Sequence, residues 1–457
     1  MAFREEIDTM GKLSVDSTAY YGPSTQRAMN NFPISGLNFP LVFYQHMAII
    51  KKAAAITNTE LGLLEKRIGT AIAEAAQDII DGKLENEFVV DVFQTGSGTS
   101  THMNMNEVIA SRANEILTGI RGGKSPVHPN DHVNMGQSSN DVFPSTIHIS
   151  ALTLIKNELI IASQYLKKTI LHKANEFNGI LKIARTHVQD ALPITLGQEF
   201  FGFASHISHG IHRLESIETS LSELPIGGTA VGNGDNTHPK FAQKVIHQIS
   251  SLTGIKFREA ENHFEAQSGR DAIVETSGVL KTLAVSLTKI ASDIRWLSSG
   301  PRCGLGEISL PDLQPGSSIM PGKINPVIPE VVIQVAAQVI GNDTVITLCG
   351  QGGNFQLNTM MPVMAYNLLQ SISLMASASR IFAASCISGI QPNIDKCRDN
   401  IHKSLALATY LVPLIGYDRA AEIAKKAFET GQTIYDAAGG ESDISPDDLE
   451  IVLGGRG

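Results

Sequence analysis

The chain has 457 residues, of which 42% are hydrophobic and 18% charged, with a net charge of −9. That is a globular profile long enough for more than one domain, and its acidic balance leaves no basic footprint for nucleic acid. The start "MAFREEIDTM" lacks the apolar stretch of a signal peptide, no run of about 18 uncharged apolar residues suggests a membrane span, and Cys303, Cys349, Cys386 and Cys397 form no CxxC pair, so neither a disulfide scaffold nor a zinc ribbon is expected and the cytoplasm is the default compartment.

In chain order, the first strand signal is "FVVDVFQ" at 88–94, which leads into the polar stretch "TGSGTSTHMNMNE" at 95–107. Two more polar stretches follow, "HPNDHVNMGQSSND" at 128–141 and "RTHVQD" at 185–190. Helical periodicity then takes over. In "ISHGIHRLESIETSLSEL", Ile207, Ile211, Leu214, Ile217, Leu221 and Leu224 recur at spacings of 4, 3, 3, 4 and 3, one stripe of one helix. Leu283, Leu287, Ile290, Ile294 and Leu297 form a second stripe, stopped at Ser298-Ser299-Gly300-Pro301. The fourth polar stretch, "PGSSIMPGKINP" at 315–326, is too rich in Gly and Pro to be a helix or strand interior. Residues 327–349 and 366–388 read as long, nearly uncharged helices, which belong inside a bundle or an oligomer core. Ser445, Pro446, Asp447 and Asp448 start a last helix, and the tail 454–457 reads as frayed.

Each polar stretch taken alone is a capped turn, because Ser, Thr, Asn and Gly favour caps and turns. Taken together, so many neutral donors beside Lys323 suit a small polyanion, most simply a carboxylate. Nucleotide motifs do not fit. Gly316 and Gly322 have five residues between them and Lys323 is followed by Ile324, and "GSGTST" lacks the third glycine of a dinucleotide fingerprint. His206, His209 and His212 spread around a helix without an HExxH or a carboxylate cluster, so no metal is expected.

With these stretches assembled, the sequence resembles the fumarase/aspartase superfamily. "GSSIMPGKINP" matches its signature loop GSSxMPxKxN at seven defined positions in ten. "FQTGSGTSTHMNMNEV", "HPNDHVN", "QSSNDVFPS", "RTHVQDALPITLGQEF", "LPIGGTAVG" and "PRCGLGEISLPDLQPGSS" resemble class II fumarases, and the likeness runs from "STQRAMNNFPISG" to "IGYDRAAEIAKKA". Gly322 after Pro321 and "SSND" at 138–141 are fumarase-like, where aspartases tend to Ala and "STND". Three places depart from the pattern: His102 stands where Asn is usual, Asn233-Gly234-Asp235 replaces the common Thr-Gly-Leu, and Ser125 stands where a basic residue often precedes His128. The resemblance implies a mainly α fold with a central long-helix bundle that forms a multi-helix core in a tetramer. It also implies an N-terminal domain over 1–137, a central bundle over 138–395 and a small C-terminal helical domain over 396–457.

The same resemblance implies reversible hydration of fumarate to L-malate, a tricarboxylic acid cycle reaction, by acid/base catalysis through a carbanion (aci-carboxylate) without metal or organic cofactor. Ser317 matches the family's catalytic base, and Lys323 and Asn325 the groups that hold a substrate carboxylate. His187 matches the active-site histidine, as acid, base or binder, and Glu330 the acid that orients it. Ser97, Thr99, Ser138, Ser139, Asn140 and Thr186 match substrate binders, and His128, Asn130 and Asp131 a secondary site for which a capped helix start is the competing reading. The implied partners are a small dicarboxylate and three further copies of the chain with active sites shared between subunits, and neither nucleic acid nor membrane. An aspartate ammonia-lyase and a non-catalytic structural relative are the alternatives; loss of Ser317 or His187 would favour the latter, and both are present.

Overall fold

The apolar stripe at 283–297 becomes a helix where 3.6-residue spacing puts it, and its stop signal holds. In the computed structural model, which describes residues 2–440 and 444–453, the stripe Leu283 to Leu297 lies on helix Asp271–Leu297 and is buried throughout. Helices Val327–Gly350 and Met361–Ser385 cover the two nearly uncharged stretches, the second starting earlier than the sequence suggests. Val327–Gly350 and Met361–Gly389 are long and apolar enough to cross a membrane by length and composition; Glu330 and Asp343 interrupt the first and Arg380 the second. Helix Pro446–Leu453 begins as expected, with Ser445 Oγ accepting the Asp448 N–H at 3.0 Å. The tail 454–457 lies outside the described residues. The fold is mainly α, and every sheet among the described residues has only two strands.

Two expectations need correction. The stripe ending at Leu224 is not one helix: helix Leu196–Ser216 stops, a short turn Glu218–Leu221 follows, and Glu223–Leu224 pairs in parallel with Arg258–Glu259. The Arg258 guanidinium takes the Thr219 carbonyl and the Glu223 carboxylate, which competes with helical continuation, yet Ile217, Leu221 and Leu224 stay buried. Segment 88–94 forms no strand: 88–91 carry no regular structure and 92–94 are a bend. Phe88, Val90 and Val92 are buried, and the Asp91 carboxylate, buried between the two valines, accepts the N–H groups of Ser35, Gly36 and Phe93 and anchors the segment without a ladder.

The chain divides into two compact units. The first comprises Met1–Ile161, His212–Ala284 and Ala337–Ala376. In it, helix Leu41–Glu60 packs against Lys66–Ile80, Ser139–Leu154 and Phe241–Thr253. Rings of Phe39, Phe43, Tyr44, Phe88 and Phe143 stack at centroid distances of 4.3 to 6.2 Å, beneath the start of helix Thr99–Thr118. Burial of each such ring contributes about 1.5–3 kcal/mol.

The second unit comprises Ala162–Ile211, Val285–Ala336 and Ser377–Gly457. It holds a hairpin, Leu181–Thr186 paired with Gln189–Thr195, against which helix Ile394–Lys403 packs. Its C-terminal helices close on a core that includes Leu411, Ile423, Ile434 and Leu449.

Candidate active site

In the first unit two helix starts meet. Gly98, at φ 73°, turns the chain into helix Thr99–Thr118, and Ser138 caps helix Ser139–Leu154 in a reciprocal box with Asp141. Thr99 Oγ1 lies 2.7 Å from Ser97 Oγ and 2.6 Å from Ser139 Oγ, and Asn140 Nδ2 donates to the Ala230 carbonyl at 2.8 Å. Five expected substrate binders (Ser97, Thr99, Ser138, Ser139 and Asn140) therefore form one patch of hydroxyls and an amide at two positive helix ends, a setting that favours anions. The buried Asp141 carboxylate holds this patch from behind, accepting the N–H groups of Ser138, Gly227 and Thr229 at 2.9 to 3.0 Å. Burial pushes its pKa up to about 6 against the pull of those N–H groups and of Lys51.

His128, Asn130 and Asp131 sit together in one turn, where His128 Nδ1 accepts the Asn130 and Asp131 N–H groups at 3.2 Å. That is the capped start named as the competing reading. Asn233 and Asp235 bond each other in an exposed loop.

The second unit holds Thr186, His187, Ser317, Lys323, Asn325 and Glu330. His187 and Val188 form the two-residue turn of the hairpin, at φ 56° and 62°, with Thr186 facing Gln189. Positive φ at both turn positions matches the twist of a tight hairpin but is costly for branched Val and for His, which marks the turn as a functional candidate. The hairpin is braced from below by the fully buried Glu307, whose carboxylate takes a two-pronged bond from Arg185 at 2.7 and 3.0 Å, with Lys182 at 3.3 Å and the Asn400 amide at 3.0 Å. Burial pushes the Glu307 pKa up, but the Arg185 bonds and the Lys182 charge outweigh it and hold it below its ordinary value.

The Gly- and Pro-rich loop closes on itself. The Gly316 N–H donates to the Lys323 carbonyl at 2.7 Å and Asn325 Nδ2 to the Gly316 carbonyl at 2.6 Å. A Cβ on Gly316 would stand 2.6 Å from the Lys323 carbonyl, so only glycine fits this approach. Ser317 Oγ accepts the Ile319 and Met320 N–H groups at 3.2 and 2.8 Å. Lys323, Asn325 and Glu330 line a cavity of about 610 Å³ with Arg295 and Trp296. Among the described residues no hydrogen bond joins His187 to Glu330 or to Ser317. His206, His209 and His212 are exposed on their helix.

The family model described as "Lyase" matches residues 11–341, and the one described as "Fumarase C C-terminus" matches 407–454. Fumarate hydratase class II of Nitrosomonas europaea is 52% identical, over 95% of this chain and 94% of its own length. The chain belongs to the class II fumarase family. The mitochondrial fumarate hydratase of Rhizopus oryzae, a further relative, is 50% identical over 95% of this chain and 88% of its own. The crystal structure of class II fumarase from Schistosoma mansoni superposes with a TM-score of 0.97 at 36% identity, covering 99% of this chain and 98% of that one. Fumarase-like motif reading thus located the polar loops, but it missed what stands behind them. Lys51 was the missed signal: a cation four residues from buried Met47 on the helical stripe Phe43, Met47, Lys51, Ala54.

Proposed function

We propose that this class II fumarase chain hydrates fumarate reversibly to L-malate by acid/base catalysis. The observation that carries the reading is Ser317: its oxygen sits under two backbone N–H groups on a loop that also presents Lys323 and Asn325. A serine hydroxyl is too weak a base by itself. Two N–H donors and a nearby cation lower the cost of its alkoxide. In the direction from malate to fumarate, Ser317 takes a proton from the methylene carbon, and the electron pair spreads into the adjoining carboxylate, which Lys323 and Asn325 hold. The carbon–oxygen bond of the neighbouring alcohol then breaks, the double bond forms, and the leaving hydroxide departs as water after protonation. His187, oriented by Glu330, is the proposed proton relay. Ser97, Thr99, Ser138, Ser139, Asn140 and Thr186 bind the dicarboxylate, and His128, Asn130 and Asp131 take a second carboxylate at the surface.

We further propose the division 1–137, 138–395 and 396–457, a homotetramer with sites shared between subunits, and a cytoplasmic location, on the strength of the family and its bacterial members. The test follows the ultraviolet absorbance of fumarate, first in water and then with ammonia added. Loss in water supports the reading. Loss only with ammonia makes the chain an aspartate ammonia-lyase, and loss in neither makes it a non-catalytic relative.

A further inference from the structure

Lys51 is fully buried, on helix Leu41–Glu60, and among the described residues no carboxylate is bonded to it. Its three N–H donors meet three neutral acceptors: His102 Nε2 at 2.5 Å, Gln137 Oε1 at 3.0 Å and Asn134 Oδ1 at 3.2 Å. The two amides are pinned oxygen-inward, because Asn134 Nδ2 donates to the Gln137 carbonyl and Gln137 Nε2 to the carbonyls of Val133 and Met135. An accepting Nε2 places the His102 proton on Nδ1. Burial and then the Lys51 charge push the His102 pKa well down; burial also pushes Lys51 well down, against the pull of Asp141.

A buried cation is an expensive way to join segments that an apolar contact could join, and such groups are retained where they fix a register. The segments joined here are informative. His102 lies one turn after Thr99 on helix Thr99–Thr118, and Gln137 immediately precedes the Ser138 cap of helix Ser139–Leu154. Thr99 and Ser139 are the two hydroxyls that touch across those helix starts.

We propose that Lys51 and His102 form a buried positioning pair that sets the spacing of Thr99 against Ser138–Asn140, the carboxylate donors at the two helix starts. The inference rests on the fumarate reading above. Neither residue touches substrate. Both act through the donors, so their removal raises KM more than it lowers kcat.

The experiment is a double-mutant cycle on the full-length enzyme, with KM and kcat for fumarate measured well below the unfolding temperature of each variant. Lys51→Met and His102→Leu are each expected to raise KM about tenfold with a smaller change in kcat. The double variant is expected to be no worse than Lys51→Met alone, because one unit has been broken once. His102→Asn, which keeps an acceptor, is expected to recover most of the loss. If Lys51→Met does not fold, His102→Leu against His102→Asn gives the same reading. KM within twofold of wild type in His102→Leu and in any folded Lys51→Met, or additive effects of the two, overturns the proposal. A wild-type enzyme without fumarate turnover overturns the functional reading instead, and the two failures are distinct.

Discussion

A Cβ on Gly98 would sit 2.1 Å from the Phe143 ring, at a backbone φ of 73° that other residues rarely adopt. The glycine therefore serves both the turn into helix Thr99–Thr118 and the close approach of that helix start to the aromatic core. Gly98→Ala is expected to cost about 2–4 kcal/mol, combining left-handed strain with overpacking, and to raise KM because Thr99 moves. Thermal unfolding with a KM measurement checks it; a wild-type midpoint would contradict it. Ser317 illustrates the other kind of residue, bonded locally and half-exposed. Ser317→Ala is expected to leave the fold and KM nearly intact while kcat falls by roughly 10²–10⁴, the range for a positioned base. Steady-state kinetics beside an unfolding curve decide this, and near-normal kcat would remove Ser317 from the base role.

The hairpin Leu181–Thr195 presents candidate site residues on a frame held by a distant part of the chain. Its turn presents Thr186 and His187, and its rigidity comes from Glu307 bonded to Arg185, Lys182 and Asn400. Because the folded pKa of Glu307 lies below its ordinary 4.5, its contribution is present above that pH and is lost as pH falls through the folded value. Wild-type melting temperature should therefore fall on acidification below about 4.5. Glu307→Gln should melt lower at neutral pH, by an equivalent of about 3–5 kcal/mol for stranded cations, and show a flatter acid limb. Parallel acid limbs in melting curves taken across this pH range would contradict the assignment. This element was also hard to read in the sequence. "RTHVQD" is legible as a polar cluster and as a family motif, but its strand pairing is not, because His187 and Val188 are unusual hairpin-turn residues and Glu307 lies far along the chain. The failure at 217–224 has the same cause: the period was right for burial, and the non-local partner Arg258 decided the backbone. By contrast the loop 315–326 was legible because its Gly, Pro, Ser, Lys and Asn all act within one contiguous turn.

At the scale of the whole molecule, long helices expose apolar side chains that a lone chain would leave wet. Val285 and Trp296 on helix Asp271–Leu297 are 55% and 60% exposed, and Leu348 on helix Val327–Gly350 is 61% exposed. Such surfaces mark association, and for helix Val327–Gly350 that is in line with its reading as a bundle or oligomer-core helix. The donors Ser97, Thr99 and Ser138–Asn140 fall in one compact unit and His187, Ser317, Lys323 and Asn325 in the other. We propose that Ser317 and His187 serve one active site from different copies of the chain. The most direct test mixes Ser317→Ala chains with His187→Asn chains, each inactive alone, under conditions that dissociate and reassemble the oligomer. Catalysis needs all groups at once, and each substitution spoils only the sites its own segment enters. Hybrid oligomers should then contain some sites with both native residues and regain a fraction of wild-type fumarate turnover; verified hybrids that stay inactive at every mixing ratio would contradict the account.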